Sequence, residues 1–222
     1  MPDDSLILLF IKAPVKGRVK SRLAAVLGED TALELYRNFV LDILGTIEQT
    51  GHPYRICVQP PDSIPAVADW LGRHHHFMPQ DGNDLGERME KTFHQVFAEG
   101  YDRAVLIGSD IPDLPAAILD DALSGLSDND AVIGPAKDGG YYLIGFRINT
   151  FFPDVFHAIE WSTAAVFSRT MEVFAEAGLR VHALPAWRDV DTSEDLRDLW
   201  ERNRGTAFRH SRTMNVLETM KH

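Results

Sequence analysis

Between Ser5 and Gly28 the chain carries no Asp or Glu, yet Lys12, Lys16, Arg18, Lys20 and Arg22 fall within eleven residues of one another. The protein as a whole is acidic, with a formal net charge of −11 at pH 7. A basic window on an acidic chain points to a pocket for a small anion. It argues against a nucleic acid, whose backbone needs cations clustered over a larger surface. The alternative is that these side chains simply face solvent. The order of residues favours the pocket. The apolar run Leu6–Ile11 leads into KAPVKGRVKSRL, where Pro14 and Gly17 shape a loop and a helix begins near Lys20 or Ser21. A glycine-containing turn that feeds a helix offers backbone N–H groups and a positive dipole end to a phosphate. Neither GxxxxGK[ST] nor GxGxxG occurs, which excludes ATPase-type P-loop and dinucleotide fingerprints.

In AVLIGSDIPDLP, Asp110 follows a buried-strand pattern and precedes Pro112. A carboxylate at that place suits Mg²⁺ or Mn²⁺, which prefer oxygen ligands, although an Asx-type turn is the other reading. Asp113 fits the cap of the helix that follows. In RDVDTSEDLRDLW, Thr192 and Asp195 form a capping box, which leaves Asp191 available as a second metal ligand. The Asp189-x-Asp191 pair is no phosphatase nucleophile motif, because no apolar strand immediately precedes it and Ser193 stands where Thr is expected. Asp84 and Glu87 explain themselves as a capping box, whereas Gly86 and Arg88 do not. Gly139–Gly140 reads as a hairpin turn or as a point of close ligand approach. His74–His76 are consecutive, so their rings cannot all face one way, and they read as a surface loop in preference to a metal site. No GxSxG elbow is present, and Cys57, the one cysteine, reads as a buried inert thiol.

These residues need a scaffold, and the hydrophobic pattern supplies one. Strand-like runs at Leu6–Ile11, Tyr54–Val58, Ala104–Gly108, Ala131–Pro135, Tyr141–Phe146 and Val181–Leu184 alternate with helical periodicity. The helices are read at Leu33–Ile47, Ile64–Leu71, Leu85–Ala98, from Ala116, over Ala164–Ala177 and over Glu194–Arg202. Such alternation predicts an α/β fold of three α/β/α layers around a mainly parallel, mixed sheet, with ligands beyond the carboxyl ends of the strands. Residues 1–204 read as a single domain and residues 205–222 as a C-terminal extension. The 45% hydrophobic and 25% charged composition is that of an ordinary globular protein. No apolar run approaches the roughly 20 residues that cross a bilayer, and MPDDSLILLFIKAP lacks the features of a secretory signal, so the expected location is cytoplasmic.

Taken in order, K-x-P-x-x-G-x-V-K-x-R-L at Lys12–Leu23, DLGERM at 84–89, GSDIPDL at 108–114, DGGYYLIG at 138–145 and DVDTSEDL at 189–196 resemble one family. It is the GT-A-type, glycosyltransferase-like group of nucleotide-diphospho-sugar transferases, and the likeness covers roughly residues 5–204. The chain is similar, more distantly, to phospholactate guanylyltransferases and molybdenum-cofactor nucleotidyltransferases. The resemblance implies a Rossmann-like GT-A fold with a nucleotide-binding first half and an acceptor-binding second half. It implies phosphate contacts from Lys12, Pro14, Gly17, Lys20 and Arg22, further nucleotide contacts from Leu85, Gly86 and Arg88, and acceptor contacts from Gly139, Gly140 and Tyr141. Asp110 and Asp191 would hold Mg²⁺ or Mn²⁺, and Lys20, Arg22 and Asp110 would carry the chemistry. The implied partners are a nucleotide or nucleotide-sugar and a small acceptor. One departure concerns the reaction: Gly108-Ser109-Asp110 stands where a typical GT-A glycosyltransferase has D-x-D. Three readings stay open: glycosyl transfer from a nucleotide diphosphate, nucleotidyl transfer with release of pyrophosphate, and nucleotide binding without turnover.

Overall fold

The computed structural model describes residues 4–220 apart from 158 and 162. Its seven strands are β1 Ser5–Lys12, β2 Tyr54–Gln59, β3 Phe77–Pro79, β4 Arg103–Gly108, β5 Ala131–Pro135, β6 Tyr141–Arg147 and β7 Val181–Ala183, in the order β3-β2-β1-β4-β6-β5-β7. Only β6 runs antiparallel to its neighbours, so the sheet is mixed and mainly parallel, as expected from the sequence. Since β5 and β7 run the same way as β1 and β4, the loops after all four strands open on one edge.

β1 is buried along nearly its whole length because both faces are covered. Ile7, Leu9 and Ile11 pack with Val40, Ile43 and Leu44 of α2 (Glu29–Thr50) and Leu119 and Leu123 of α5 (Ala116–Gly125). Their neighbours Leu6, Leu8 and Phe10 face the other way, onto Met89, Phe93 and Val96 of α4 (Leu85–Ala98) and Phe174 of α6 (Val166–Glu176). The period-two alternation of a strand thus divides one apolar run between two cores.

A third core ties the two ends of the chain. Leu23 of α1 (Ser21–Leu27) and Leu35 and Phe39 of α2 pack on Val190, on Leu196 and Leu199 of α7 (Ser193–Asn203), and on Met214 and Leu217 of α8 (Arg212–Thr219). Residues beyond Gly205 therefore include an ordered helix whose first turn is fastened by Asp42, whose carboxylate accepts from the N–H groups of Arg212 and Thr213.

Several elements differ from the sequence reading. The short strand β3 was hidden by its length. The helix α2 begins at Glu29, after a Gly28 turn, and not at Leu33, because its first turn is polar on the outside. The N-cap of α4 is Asp84 as expected, but Glu87 turns to Asn83 in place of the reciprocal contact. Asp113 is a correction. The helix that follows has Pro115 at its N-cap with no side-chain cap. The Asp113 carboxylate instead takes two contacts from Arg202, at 2.7 and 3.0 Å, and further hydrogen bonds from Asn203 and Trp187. With its side chain only 2% exposed, an ionised Asp113 needs those donors, and they fasten α7 beneath the β4 loop. Among the described residues no helix is long and apolar enough to cross a membrane.

Replacing Arg202 by Ala strands most of that buried charge. We expect Arg202→Ala to lose about 3 kcal/mol of stability, read from the urea unfolding midpoint, because breaking a buried pair costs more than the pair contributes. A change near zero would mean that Asn203 and Trp187 satisfy Asp113 by themselves.

Candidate functional site

The loop after β1 returns to the sheet edge through Val19, which is buried, and Lys20, which adopts left-handed backbone angles (φ 48°, ψ 49°) just before α1. A lysine holds that conformation only where its surroundings compensate. Here the compensation is electrostatic. The Lys20 ammonium lies 2.8 Å from Asp110 Oδ1 and 3.5 Å from Asp191 Oδ1, and donates to the Val190 carbonyl at 2.6 Å. The Phe39 ring closes a fourth side, with its centroid 5.7 Å away. The lysine side chain is 3% exposed, whereas the two carboxylates remain partly open to solvent. Because both reach one ammonium, their oxygens lie within roughly 6 Å of each other.

Asp191 arrives from the far end of the chain. After β7, Trp187 bridges to Ala136 beside β5, and the Val190 N–H then donates to the Asp110 carbonyl at 2.8 Å. Burial of Val190 in the third core and the Thr192–Asp195 capping box at α7 hold that crossing in place. The Arg22 guanidinium, largely exposed, lies 3.2 Å from Asp191 Oδ2. The structure thus brings Lys20, Arg22, Asp110 and Asp191 together. Two further carboxylates join them electrostatically. Asp189, half-buried, has its carboxyl pushed up to about 6, first by burial and then by the charges of Asp138 and Asp110, against the opposing pull of Lys20. Asp138 accepts from the Gly140 N–H at 2.8 Å in an Asx-type turn. Neither Asp138 nor Asp189 was singled out from sequence. The adjacent Gly139–Gly140 and the first Asp of the D-x-D were the available signals.

The remaining sequence candidates divide. The Lys12 side chain is exposed at the end of β1, and its backbone N–H and C=O are both engaged by the Tyr36 hydroxyl. That phenol is pushed up by burial and by the nearby charge of Asp110. Pro14 and Gly17 lie in the same loop, Gly17 at φ 74° against the Glu29 side chain, while Lys16 pairs with Asp30 at 2.7 Å.

Gly86 and Tyr141 both meet Trp161, whereas Gly139 packs on Ala164. Gly86 is buried where any Cβ would lie 2.7 Å from the Phe156 carbonyl and 2.9 Å from the Trp161 indole, so packing accounts for this glycine. Leu85 beside it is exposed. Tyr141 contacts Met89 through its hydroxyl and faces Trp161 edge-on, with burial pushing its phenol up. Gly139, at φ 95°, presses on the Ala164 carbonyl, where no side chain fits. Trp161 is the residue that sequence reasoning missed here. It lies in a segment without periodicity. Arg88 Nε is buried with no hydrogen-bond partner among the described residues. A groove of about 1050 Å³ lies beside α2 and α8, and none of the four clustered carboxylates lines it.

Hard oxygen donors that converge on one point are the donor set of Mg²⁺ or Mn²⁺. Asp110 and Asp191 fit such an ion by the chemistry of their oxygens, and in this structure both face the Lys20 ammonium.

A family model described as "Uncharacterized protein conserved in bacteria (DUF2064)" matches residues 44–163. A crystal structure of a "putative nucleotide-diphospho-sugar transferase" from Desulfovibrio desulfuricans G20 is 47% identical, with a TM-score of 0.96, and the alignment covers 99% of this chain and 96% of that one. The 2-phospho-L-lactate guanylyltransferase of Methanocella arvoryzae is 24% identical over 206 residues, 91% of this chain and 84% of the relative. A cytidylyltransferase from Leptospira borgpetersenii is like it in fold, with a TM-score of 0.57 at 16% identity, covering 98% of this chain and 94% of that one.

The ammonium among the carboxylates sets an expectation. Lys20→Met keeps most of the side-chain volume and removes the charge. We expect a loss of about 2 kcal/mol in urea unfolding at neutral pH, discounted because the carboxylates are partly hydrated. The Asp189 carboxyl, which the Lys20 charge pulls down, should bind its proton more strongly still in this variant. An unchanged Asp189 would assign the effect to packing alone.

Proposed function

This chain belongs to the DUF2064 family, and we propose that it is a metal-assisted transferase acting on the diphosphate group of a nucleotide substrate, of the nucleotide-diphospho-sugar type. The observation that supports this reading is the convergence of Asp110 and Asp191 on the Lys20 ammonium at the carboxyl edge of the sheet. Carbohydrate or nucleotide phosphates would enter beside the exposed loop that carries Lys12, Lys16, Gly17 and Arg18. A divalent ion, Mg²⁺ or Mn²⁺, held by Asp110 and Asp191 would neutralise charge that builds on the phosphate oxygens. Arg22, exposed and 3.2 Å from Asp191, can turn from that carboxylate to a phosphate and follow the leaving group. Lys20 keeps the two aspartates in register and adds fixed positive charge beneath them.

In glycosyl transfer the acceptor oxygen bonds to the anomeric carbon, the sugar–phosphate bond breaks and the nucleoside diphosphate leaves with the electron pair. The acceptor proton would pass to a carboxylate of the edge. Asp189 suits that role, because its raised affinity for a proton brings it nearer to neutral pH than an ordinary aspartate. The acceptor would sit beside the Tyr141–Trp161 ring pair, next in sequence to Gly139 and Gly140.

One observation favours a second reading, nucleotidyl transfer, in which an acceptor phosphate oxygen attacks the α-phosphorus and pyrophosphate leaves. At the end of β4, Gly108-Ser109-Asp110 offers one Asp where a D-x-D would offer two, and the partner carboxylate comes from the loop at Asp191. The 24% identical guanylyltransferase is in keeping with it. Both reactions use a nucleotide and a small acceptor, and a cytoplasmic location suits either.

Titration calorimetry of nucleoside triphosphates and nucleotide-sugars with Mn²⁺ tests the common core of both readings. The wild type should gain about 2.7 kcal/mol of stability at a ligand concentration a hundredfold above Kd. Asp110→Asn should keep the fold and lose the Mn²⁺-dependent part of the affinity. Unchanged metal-dependent binding in that variant would remove Asp110 from the site. With a turnover assay, nucleoside diphosphate as the product supports the first reading and pyrophosphate the second.

A further inference from the structure

At the opposite edge of the sheet a second group of metal-binding side chains comes together. Glu48 projects from the last turns of α2, and His74 and His75 lie in the turn between α3 (Ile64–Leu71) and β3. One ligand atom from each lies within 4.8 Å of the others. The site is remote from the carboxylate cluster by construction. α2 delivers the chain to the start of β2, and the turn delivers it to the start of β3, while Lys12, Asp110 and their partners follow strand ends. A six-residue strand separates the two edges by roughly 20 Å.

The hydrogen bonds around His75 carry the argument. Its Nε2 lies 3.2 Å from the Leu71 carbonyl, an acceptor only, so this nitrogen carries the proton. Nδ1 is then an acceptor, and it faces the Tyr54 hydroxyl at 2.8 Å. The same hydroxyl lies 3.1 Å from Glu48 Oε1, another acceptor. A single phenolic proton serves one of the two. The other acceptor is left for a cation. An imidazole whose far N–H is fixed by a backbone carbonyl is also the usual arrangement of a metal-ligating histidine.

His74 supplies the third donor. Its ring lies 3.9 Å from that of His75 at 41° and rests on Gly72, where a Cβ would come within 2.6 Å of Cε1. The tight turn thus sets two consecutive imidazoles side by side, which an extended segment would point to opposite faces.

We propose that Glu48, His74 and His75 form a site for a divalent transition ion of the zinc class, separate from the nucleotide site. Two imidazoles and one carboxylate suit Zn²⁺, Co²⁺ or Ni²⁺, whereas the all-oxygen set at Asp110 suits Mg²⁺ or Mn²⁺. Tetrahedral ligands about 2.0–2.1 Å from zinc lie about 3.4 Å apart, so the side chains must close by about 1 Å. Glu48 and His74 are exposed and have that freedom. Solvent takes the fourth position. The bound ion fastens the end of α2 to the turn before β3.

The test is a Co²⁺ titration of the untagged chain, followed by visible absorption and by equilibrium dialysis. We expect one Co²⁺ per chain with the intense visible bands of a four-coordinate site, displaced by Zn²⁺. Asp110→Asn should retain it. His74→Ala, at an exposed position where folding is not at issue, should weaken it at least tenfold, and Glu48→Gln should weaken it as well. Wild-type protein that gives no such bands overturns the proposal, and so does His74→Ala binding Co²⁺ with full affinity. Loss of the bands in Asp110→Asn with retention in His74→Ala would assign the ion to the other edge and also overturn it.

Discussion

A buried ammonium sets the terms for everything at the functional edge. Taking the Lys20 charge out of water costs several kcal/mol even after relaxation, and only well-placed oxygens recover it. Asp110, Asp191 and the Val190 carbonyl provide them, and the Phe39 ring faces the same charge. None of these partners is near Lys20 in sequence except through the fold. The left-handed backbone at Lys20 makes sense only with that arrangement in place. So does the path of the late loop, which has no strand pairing of its own between β7 and α7 beyond one bridge at Trp187. Hydrophobic burial of Val190 supplies the rest of what keeps two aspartates beside one lysine.

The same edge is overdrawn in negative charge. Four aspartates stand against Lys20 and the more exposed Arg22, and Asp189 registers the imbalance through its raised proton affinity. On the proposed function, a phosphate ligand accompanied by a divalent ion would supply both the missing positive charge and an anion for the exposed loop of Lys12, Lys16 and Arg18 to meet. Recognition and electrostatic relief are then one event. That reading also separates the cations of the N-terminal window: Lys20 is buried and fixed, whereas Arg22, largely exposed, and the loop residues would be the ones to follow a ligand.

Most of the fold was legible because its signals are periodic. Leu6–Ile11 is continuously apolar since both faces of β1 are covered, and the α2, α4 and α7 patterns repeat at helical spacing. β3 escaped notice because three residues are too few for a period to register. The C-terminal helix escaped because it is polar outside and buries few large side chains, Met214 and Leu217 chief among them. At the site, Asp191 stood out because Thr192 and Asp195 form the capping box beside it, whereas Asp110 was set apart by a cap at Asp113 that the structure does not have; the structure nonetheless brings both to the Lys20 ammonium. Asp138 and Asp189 did not stand out, because their importance comes from proximity between segments about fifty residues apart. Asp113 was misread for a related reason: its partners Arg202 and Asn203 are about ninety residues away, and a local cap was the nearest explanation. The histidines lie in a turn as read, and what the sequence does not show is that the turn over Gly72 sets the His74 and His75 rings side by side.

The joining of Lys20 to a loop 170 residues later also bears on how the protein is made. At about 5–20 residues per second, a ribosome needs roughly ten to thirty seconds between the lysine and its last partners. Through that interval β1, β2 and β4 can assemble, and Asp110 can already meet the ammonium, but α7 has yet to emerge. The nascent sheet therefore presents a half-neutralised cation and an uncovered face of α2, with Leu35 and Phe39 exposed to whatever else is in the cell. A cellular chaperone that shields emerging apolar surface would find its target there. The segment from Val190 to Leu217 then acts as a clasp, covering α2 and closing on Lys20 in the same step.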